Sequence, residues 1–169
     1  MKTYKGFYKI RNKDKYTGDH TNIVYRSGWE QAVMRWCDDS PQVKYWSSEE
    51  VVIPYICETD KRPHRYFIDF KIVFDDGRTV LVEVKPYKET QTPKSGQGRA
   101  RRQVITEGLT YIKNMSKWSA AREYVANRGW HFEIWTEHEL RAMNILPKPL
   151  GKKTFKPLKK MKPYRKPKK

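Results

Sequence analysis

Residues 65–88, RYFIDFKIVFDDGRTVLVEVKPYK, constrain the fold more than any other stretch. Two runs rich in β-branched and aromatic residues flank Asp75-Asp76-Gly77, a strong hairpin signal. Both runs carry charge where a buried strand would exclude it: Asp69 in the first, Glu83 and Lys85 in the second. Side chains alternate between faces, so Glu83 and Lys85 share a face with Leu81. Val80, Val82 and Val84 take the other face, which belongs to the deep core. In the first run, read as one continuous strand, Phe67, Asp69 and Lys71 oppose Tyr66, Ile68 and Phe70.

The turn decides whether Asp69 meets Glu83. A two-residue Asp76-Gly77 loop pairs residues whose numbers sum to 153, which sets Asp69 across from Val84. A three-residue loop, with Gly77 in the left-handed position, makes the sum 152 and places Asp69 opposite Glu83. Only the second register gives Val82 and Val84 an apolar partner face, Ile68 and Phe70, so it is the expected one. Like charges set opposite each other repel, and the arrangement costs energy unless a cation lies between them. Two converging carboxylates offer hard oxygen ligands suited to Mg²⁺, and Lys85 beside them would orient a water or neutralise a phosphate. The residues thus point to a metal-dependent phosphodiesterase centre. A cross-strand ion pair with Lys71 or Lys85 on a solvated face is the alternative.

Charge supplies the substrate class. The 169 residues include 36 Lys+Arg and 19 Asp+Glu, a net +17 that favours a polyanionic partner. Of this excess, eleven units fall in residues 147–169, which hold no acid and five prolines, leaving +6 for the first 146. That tail is expected to be a disordered phosphate-contacting arm, with Lys152, Lys153, Lys159 and Lys160 among its DNA contacts. No apolar run is long enough to span a membrane, and the N-terminus lacks the apolar core of a secretion signal. Cys37 and Cys57 show no metal spacing and read as free thiols in a reducing cytoplasm; the four histidines are scattered.

Elsewhere, residues 1–22 read as a basic, aromatic arm crossing the surface. A helix follows, with Trp29, Val33, Trp36 and Cys37 on one face, Ser27 as N-cap and Pro41 past its end. Glu30, in its first turn, is a fourth acidic candidate, though Ser27 and Glu30 also form a capping box. Extended segments are expected around a turn at Ser47-Ser48, then a basic loop over 86–102. Arg99, Arg101, Arg102 and Gln103 there are candidates to hold the scissile phosphate. Two helices (the second capped by Ser116 and ended by Gly129), a strand at 130–136 and a helix opened by a Thr136–Glu139 capping box complete the chain. The expected architecture is α/β, a mixed sheet flanked by helices in α-β-β-β-α-β order.

Glu30, Asp69 and Glu83-Val84-Lys85 resemble, in order and context, the PD-(D/E)xK restriction-like nuclease superfamily. Ile68 stands where that motif often has proline, which shapes the strand but is no ligand. The segments "IVYRSGWEQAVMRWCD", "VKYWSSEEVVIPY", "HRYFIDFKI" and "KWSAAREYVANRGWHFEIWTEHEL" are similar to the head completion nucleases of T-even-like tailed bacteriophages. They are also similar to the endonuclease subunit of heteromeric transposases. The resemblance covers residues 23–146 and implies a Mg²⁺-dependent DNA endonuclease, with Mn²⁺ able to substitute. It implies Asp69, Glu83 and the Val84 carbonyl as metal ligands, Lys85 as catalytic lysine and Glu30 as a helix-borne acid. It further implies double-stranded DNA as substrate, phage head or neck proteins as partners, and action in the host cytoplasm or on the virion. A DNA-holding structural protein and a junction resolvase on the same fold remain open.

Overall fold

The computed structural model describes residues 4–94, 98 and 100–149. In chain order the elements are β1 (Gly6–Phe7), β2 (Val24–Tyr25), α1 (Gly28–Asp39), β3 (Val43–Ser48), β4 (Val52–Cys57), β5 (Arg62–Phe67), β6 (Phe70–Phe74), β7 (Thr79–Val84), α2 (Tyr87–Thr90), α3 (Arg101–Ala126), β8 (His131–Trp135) and α4 (Glu137–Ala142). The central sheet has the order β3-β6-β7-β8. β3–β6 and β6–β7 are antiparallel, and β7–β8 is parallel. A parallel neighbour requires a long crossover, which α3 supplies. This is the mixed α/β sheet expected from the sequence.

Strand alternation divides the core into two. On one side Phe70, Ile72, Val80, Val82 and Val84 pack with Val33, Met34 and Cys37 of α1 and with Trp46 and Trp135. On the other, Leu81 packs with Ala121 and Val125 of α3 and with the β4–β5 hairpin through Ile53, Tyr55, Tyr66 and Ile68. The β6–β7 turn takes the three-residue form: Phe70 pairs with Val82 and Ile72 with Val80, so the numbers sum to 152. Gly77 has φ +87°, the left-handed conformation this loop demands.

Four expectations are corrected. The first run is not one strand: it breaks at Ile68-Asp69 into β5, which pairs with β4, and β6, which joins the central sheet. The break moves Ile68 into the α3-side core, so Val84 does not pack on it as a continuous strand would require. Ser47 and Ser48 end β3 rather than forming a turn; the chain reverses at Glu49, whose φ is +56°. The two expected helices are one, since α3 runs through Ser116, whose hydroxyl donates back to Ile112 O at 3.0 Å. Finally, the N-terminal segment does not merely cross the surface. Ile10 and Tyr16 are buried in the main core, and the buried Asp38 accepts from Tyr8 Oη and from the amides of Arg11 and Asn12.

Candidate active site

The break at Ile68-Asp69 builds the site. Ile68 N donates to Val51 O at 2.9 Å, holding it to the β4–β5 hairpin, while Phe70 already pairs in the central sheet. That amide bond is one a proline at 68 could not make. Asp69 therefore lies one step beyond the last β6–β7 pair, where Val84 lacks a backbone partner from β6. The carboxylate fills the gap: Val84 N donates to Asp69 Oδ2 at 2.8 Å. A strand residue's N–H and C=O point to the same edge, so the Val84 carbonyl faces this gap too.

Glu83 comes from the facing strand and is 2% exposed. Its Oε2 accepts from Tyr66 Oη at 2.7 Å, and its Oε1 pairs with Lys85 Nζ at 3.1 Å. Part of Asp69 reaches solvent, yet its carboxyl group is enclosed by protein. Burial, then the Glu83 charge, then Glu30 raise its pKa well above the ordinary carboxylate value; the Val84 amide and Lys85 oppose them only in part. Burial pulls the Lys85 pKa down, but Glu83 and Asp69 outweigh it and the ammonium holds its proton above the usual lysine value. Burial and Glu83 raise the Tyr66 pKa, so the phenol stays a donor. The carboxylates and lysine expected from the sequence are thus brought together.

Glu30 is held by the cap of α1. Ser27 Oγ accepts from Glu30 N at 3.1 Å and donates to Glu30 Oε1 at 2.9 Å, while Glu30 Oε2 accepts from Arg26 N at 2.7 Å. Both its oxygens are engaged at the helix start, and its charge contributes to raising the Asp69 pKa. Arg101, Arg102 and Gln103 lie exposed in the first turn of α3, and Gln103 Nε2 donates to Glu107 at 3.2 Å. Arg99 and Lys152, Lys153, Lys159 and Lys160 lie outside the described residues.

Two neighbours of the carboxylates, Tyr66 and Glu49, are not singled out by the sequence, and a third, Lys117, reads there only as a weak candidate beside Trp118. Tyr66 was visible only as a strand aromatic; its role follows from the break that folds β5 over Glu83. Lys117 Nζ of α3 lies 5.2 Å from the centroid of the Tyr66 ring. Glu49 donates its amide to Ile68 O (3.2 Å) and Asp69 O (3.3 Å), and its carboxylate grips Arg26 through two bonds of 2.8 and 3.0 Å. Its left-handed backbone, uncommon for a non-glycine residue, turns the chain back along Asp69.

The donor set suits a hard divalent cation. Asp69, Glu83 and the Val84 carbonyl offer only oxygen, the Asp69 carboxyl is destabilised by its like-charged neighbour, and Glu83 already holds a cation, the Lys85 ammonium.

A mixed sheet of this order, with a carboxylate pair and a lysine at the end of its central strands, defines a restriction-endonuclease-like enzyme. The family model for the TnsA-like endonuclease N-terminal domain matches residues 40–137, which include Asp69, Glu83 and Lys85; Glu30 precedes them. The head completion nuclease of Enterobacteria phage T4 is 38% identical over 145 residues, covering 84% of this chain and 97% of that protein. The chain belongs to the TnsA-like endonuclease family. No solved structure matches it.

Proposed function

We propose that this protein hydrolyses phosphodiester bonds of double-stranded DNA with Mg²⁺ during phage head completion, trimming packaged or protruding DNA before the head joins its tail. The observation that carries this reading is the meeting of Asp69 and Glu83 at the break between β5 and β6, with Lys85 on Glu83. Asp69, Glu83 and the Val84 carbonyl would hold the ion. When bound, it supplies Lewis-acid polarisation of the phosphate and lowers the pKa of a water.

The chain's own residues do the rest. Tyr66 fixes one oxygen of Glu83 and leaves the other for the ion, so Lys85 is free to turn toward the phosphate. Its ammonium then stabilises charge developing on the phosphoryl oxygens. Glu30, presented from the first turn of α1, would accept a proton from the attacking water or steady that water. Arg99, Arg101, Arg102 and Gln103 would contact the DNA backbone, and the 147–169 tail with Lys152, Lys153, Lys159 and Lys160 would add sequence-independent affinity.

Plasmid nicking with Mg²⁺ tests the proposal. Wild-type protein converts supercoiled DNA to open circle, and Asp69→Ala does not while still retarding DNA in a gel. Equal nicking by both would remove the site. Retardation without nicking by wild type would leave a DNA-holding head protein. Faster cutting of four-way junctions than of linear ends would favour a resolvase.

A further inference from the structure

The β4–β5 hairpin carries a second group of metal-ligating side chains, remote in chemistry from the carboxylate pair. Its register places Tyr55 opposite His64 and Cys57 opposite Arg62, so Cys57 and His64 are diagonal neighbours on one face. Between the strands the chain folds back over Cys57: the amides of Asp60 and Lys61 donate to Cys57 O at 3.4 and 2.8 Å, and Lys61 takes φ +56°. This brings the Asp60 carboxylate over the same point. One donor atom from each of Cys57, Asp60 and His64 lies within 4.8 Å of the other two. The sulfur is buried and forms the floor, while Asp60 and His64, each with 41% of the side chain exposed, form an accessible rim.

We propose that the tip of this hairpin is a metal site for a borderline-soft divalent cation of the Zn²⁺ class, ligated by Cys57, Asp60 and His64. Thiolate, imidazole and carboxylate together suit Zn²⁺, whereas Mg²⁺ favours oxygen alone, so the chain's two sites select different ions. Sequence spacing discounted the cysteines because the partners are assembled by the hairpin register and not by a short cysteine motif. Three protein donors leave a fourth position open. Two existing contacts are displaced on binding: His64 Nε2 to Asp60 Oδ2 at 2.9 Å, and Cys57 Sγ to Thr59 Oγ1 at 3.1 Å. The site would brace the hairpin end, which already rests on α3 through Glu58 N to Ser116 Oγ at 3.2 Å. It would thereby steady β5, which carries Tyr66.

Cobalt is the probe. Co²⁺ titrated into the reduced, metal-free full-length chain is expected to give a one-to-one sulfur-to-cobalt charge-transfer band that stoichiometric Zn²⁺ abolishes and excess Mg²⁺ does not. The band should persist in Cys37→Ser and in the Asp69→Ala/Glu83→Ala double variant, which separates this site from the nuclease centre. It should vanish in Cys57→Ser. In His64→Ala and Asp60→Ala the affinity should fall at least about tenfold. These last two are exposed substitutions and carry the test even where the buried Cys57→Ser impairs folding. No band in wild type, a band surviving in folded Cys57→Ser, or unchanged affinity in His64→Ala would overturn the proposal.

Discussion

Asp69→Asn should stabilise the metal-free protein while abolishing its activity. The amide keeps an oxygen for the Val84 N–H, now bonded at 2.8 Å, but removes a charge that burial and Glu83 both penalise. Two carboxylates about 5 Å apart at an effective dielectric of about 20 repel by roughly 3 kcal/mol. Loss of the charge-assisted bond to Val84 and of the attraction to Lys85 offsets part of this. The net gain is about 1–3 kcal/mol at neutral pH, or about 3–8 °C in Tm for a chain of this size. The pH dependence follows from the sign of the shift. The folded pKa of Asp69 lies above its unfolded value, so the folded state takes up a proton first as pH falls, and this group's contribution to stability rises across that window. Asp19, Asp60 and Asp76 have depressed values, so their contributions are present above the ordinary carboxylate range and are lost only below it. Thermal and urea unfolding in EDTA, from about pH 8 to about pH 5, should therefore show wild type gaining on Asp69→Asn as pH falls. Added Mg²⁺ should stabilise wild type alone. A variant less stable than wild type at neutral pH, or a difference between the two that does not change with pH, would refute the reasoning.

Tyr66→Phe leaves one oxygen of a buried carboxylate without its donor; it should cost about 1.5–3 kcal/mol in urea unfolding. The same variant should raise the Mg²⁺ needed for half-maximal nicking about 10–100-fold. Lys85→Ala should slow single-turnover cleavage about 10²–10⁴-fold with DNA affinity nearly unchanged, measured by quench-flow beside gel retardation. Ser27→Ala removes the cap that holds Glu30 and should lower stability by about 1 kcal/mol, with a larger loss of cleavage than Gln31→Ala, a neighbour outside the cap. Truncation after residue 149 should flatten the dependence of DNA affinity on salt, by about one unit of log–log slope for each phosphate the tail neutralises. An unchanged slope would exclude the tail from binding.

What the sequence made legible, and what it hid, divides at the Ile68-Asp69 break. The three-residue turn, the 152 register and the shared core face of Val80, Val82 and Val84 are local consequences of side-chain alternation and of a glycine that must take positive φ, so they are readable. The approach of Asp69 to Glu83 follows from them, although the two are not partners in the ladder. The break itself is not readable, because residues 65–74 alternate well enough to serve as one strand. Its cause is tertiary: Ile68 is tied to Val51 while Phe70 is claimed by β3 and β7. Tyr66, Arg26 and Glu49 owe their places to that contest, and no spacing rule records it. The N-terminal segment is hidden for a related reason. Ile10 and Tyr16 are isolated apolar residues without periodicity, and contacts to the end of α1 pin their segment, chief among them the buried Asp38 collecting three donors from Tyr8, Arg11 and Asn12. The break and the N-terminal segment share a physical origin: a polar group on one element satisfying the backbone of another far away in sequence. The same arrangement makes the site more than a pair of acids on adjacent strands. Because β6 stops pairing at Phe70, a Val84 amide that an ordinary sheet would consume is left to orient Asp69. The interruption of the sheet is what creates the site.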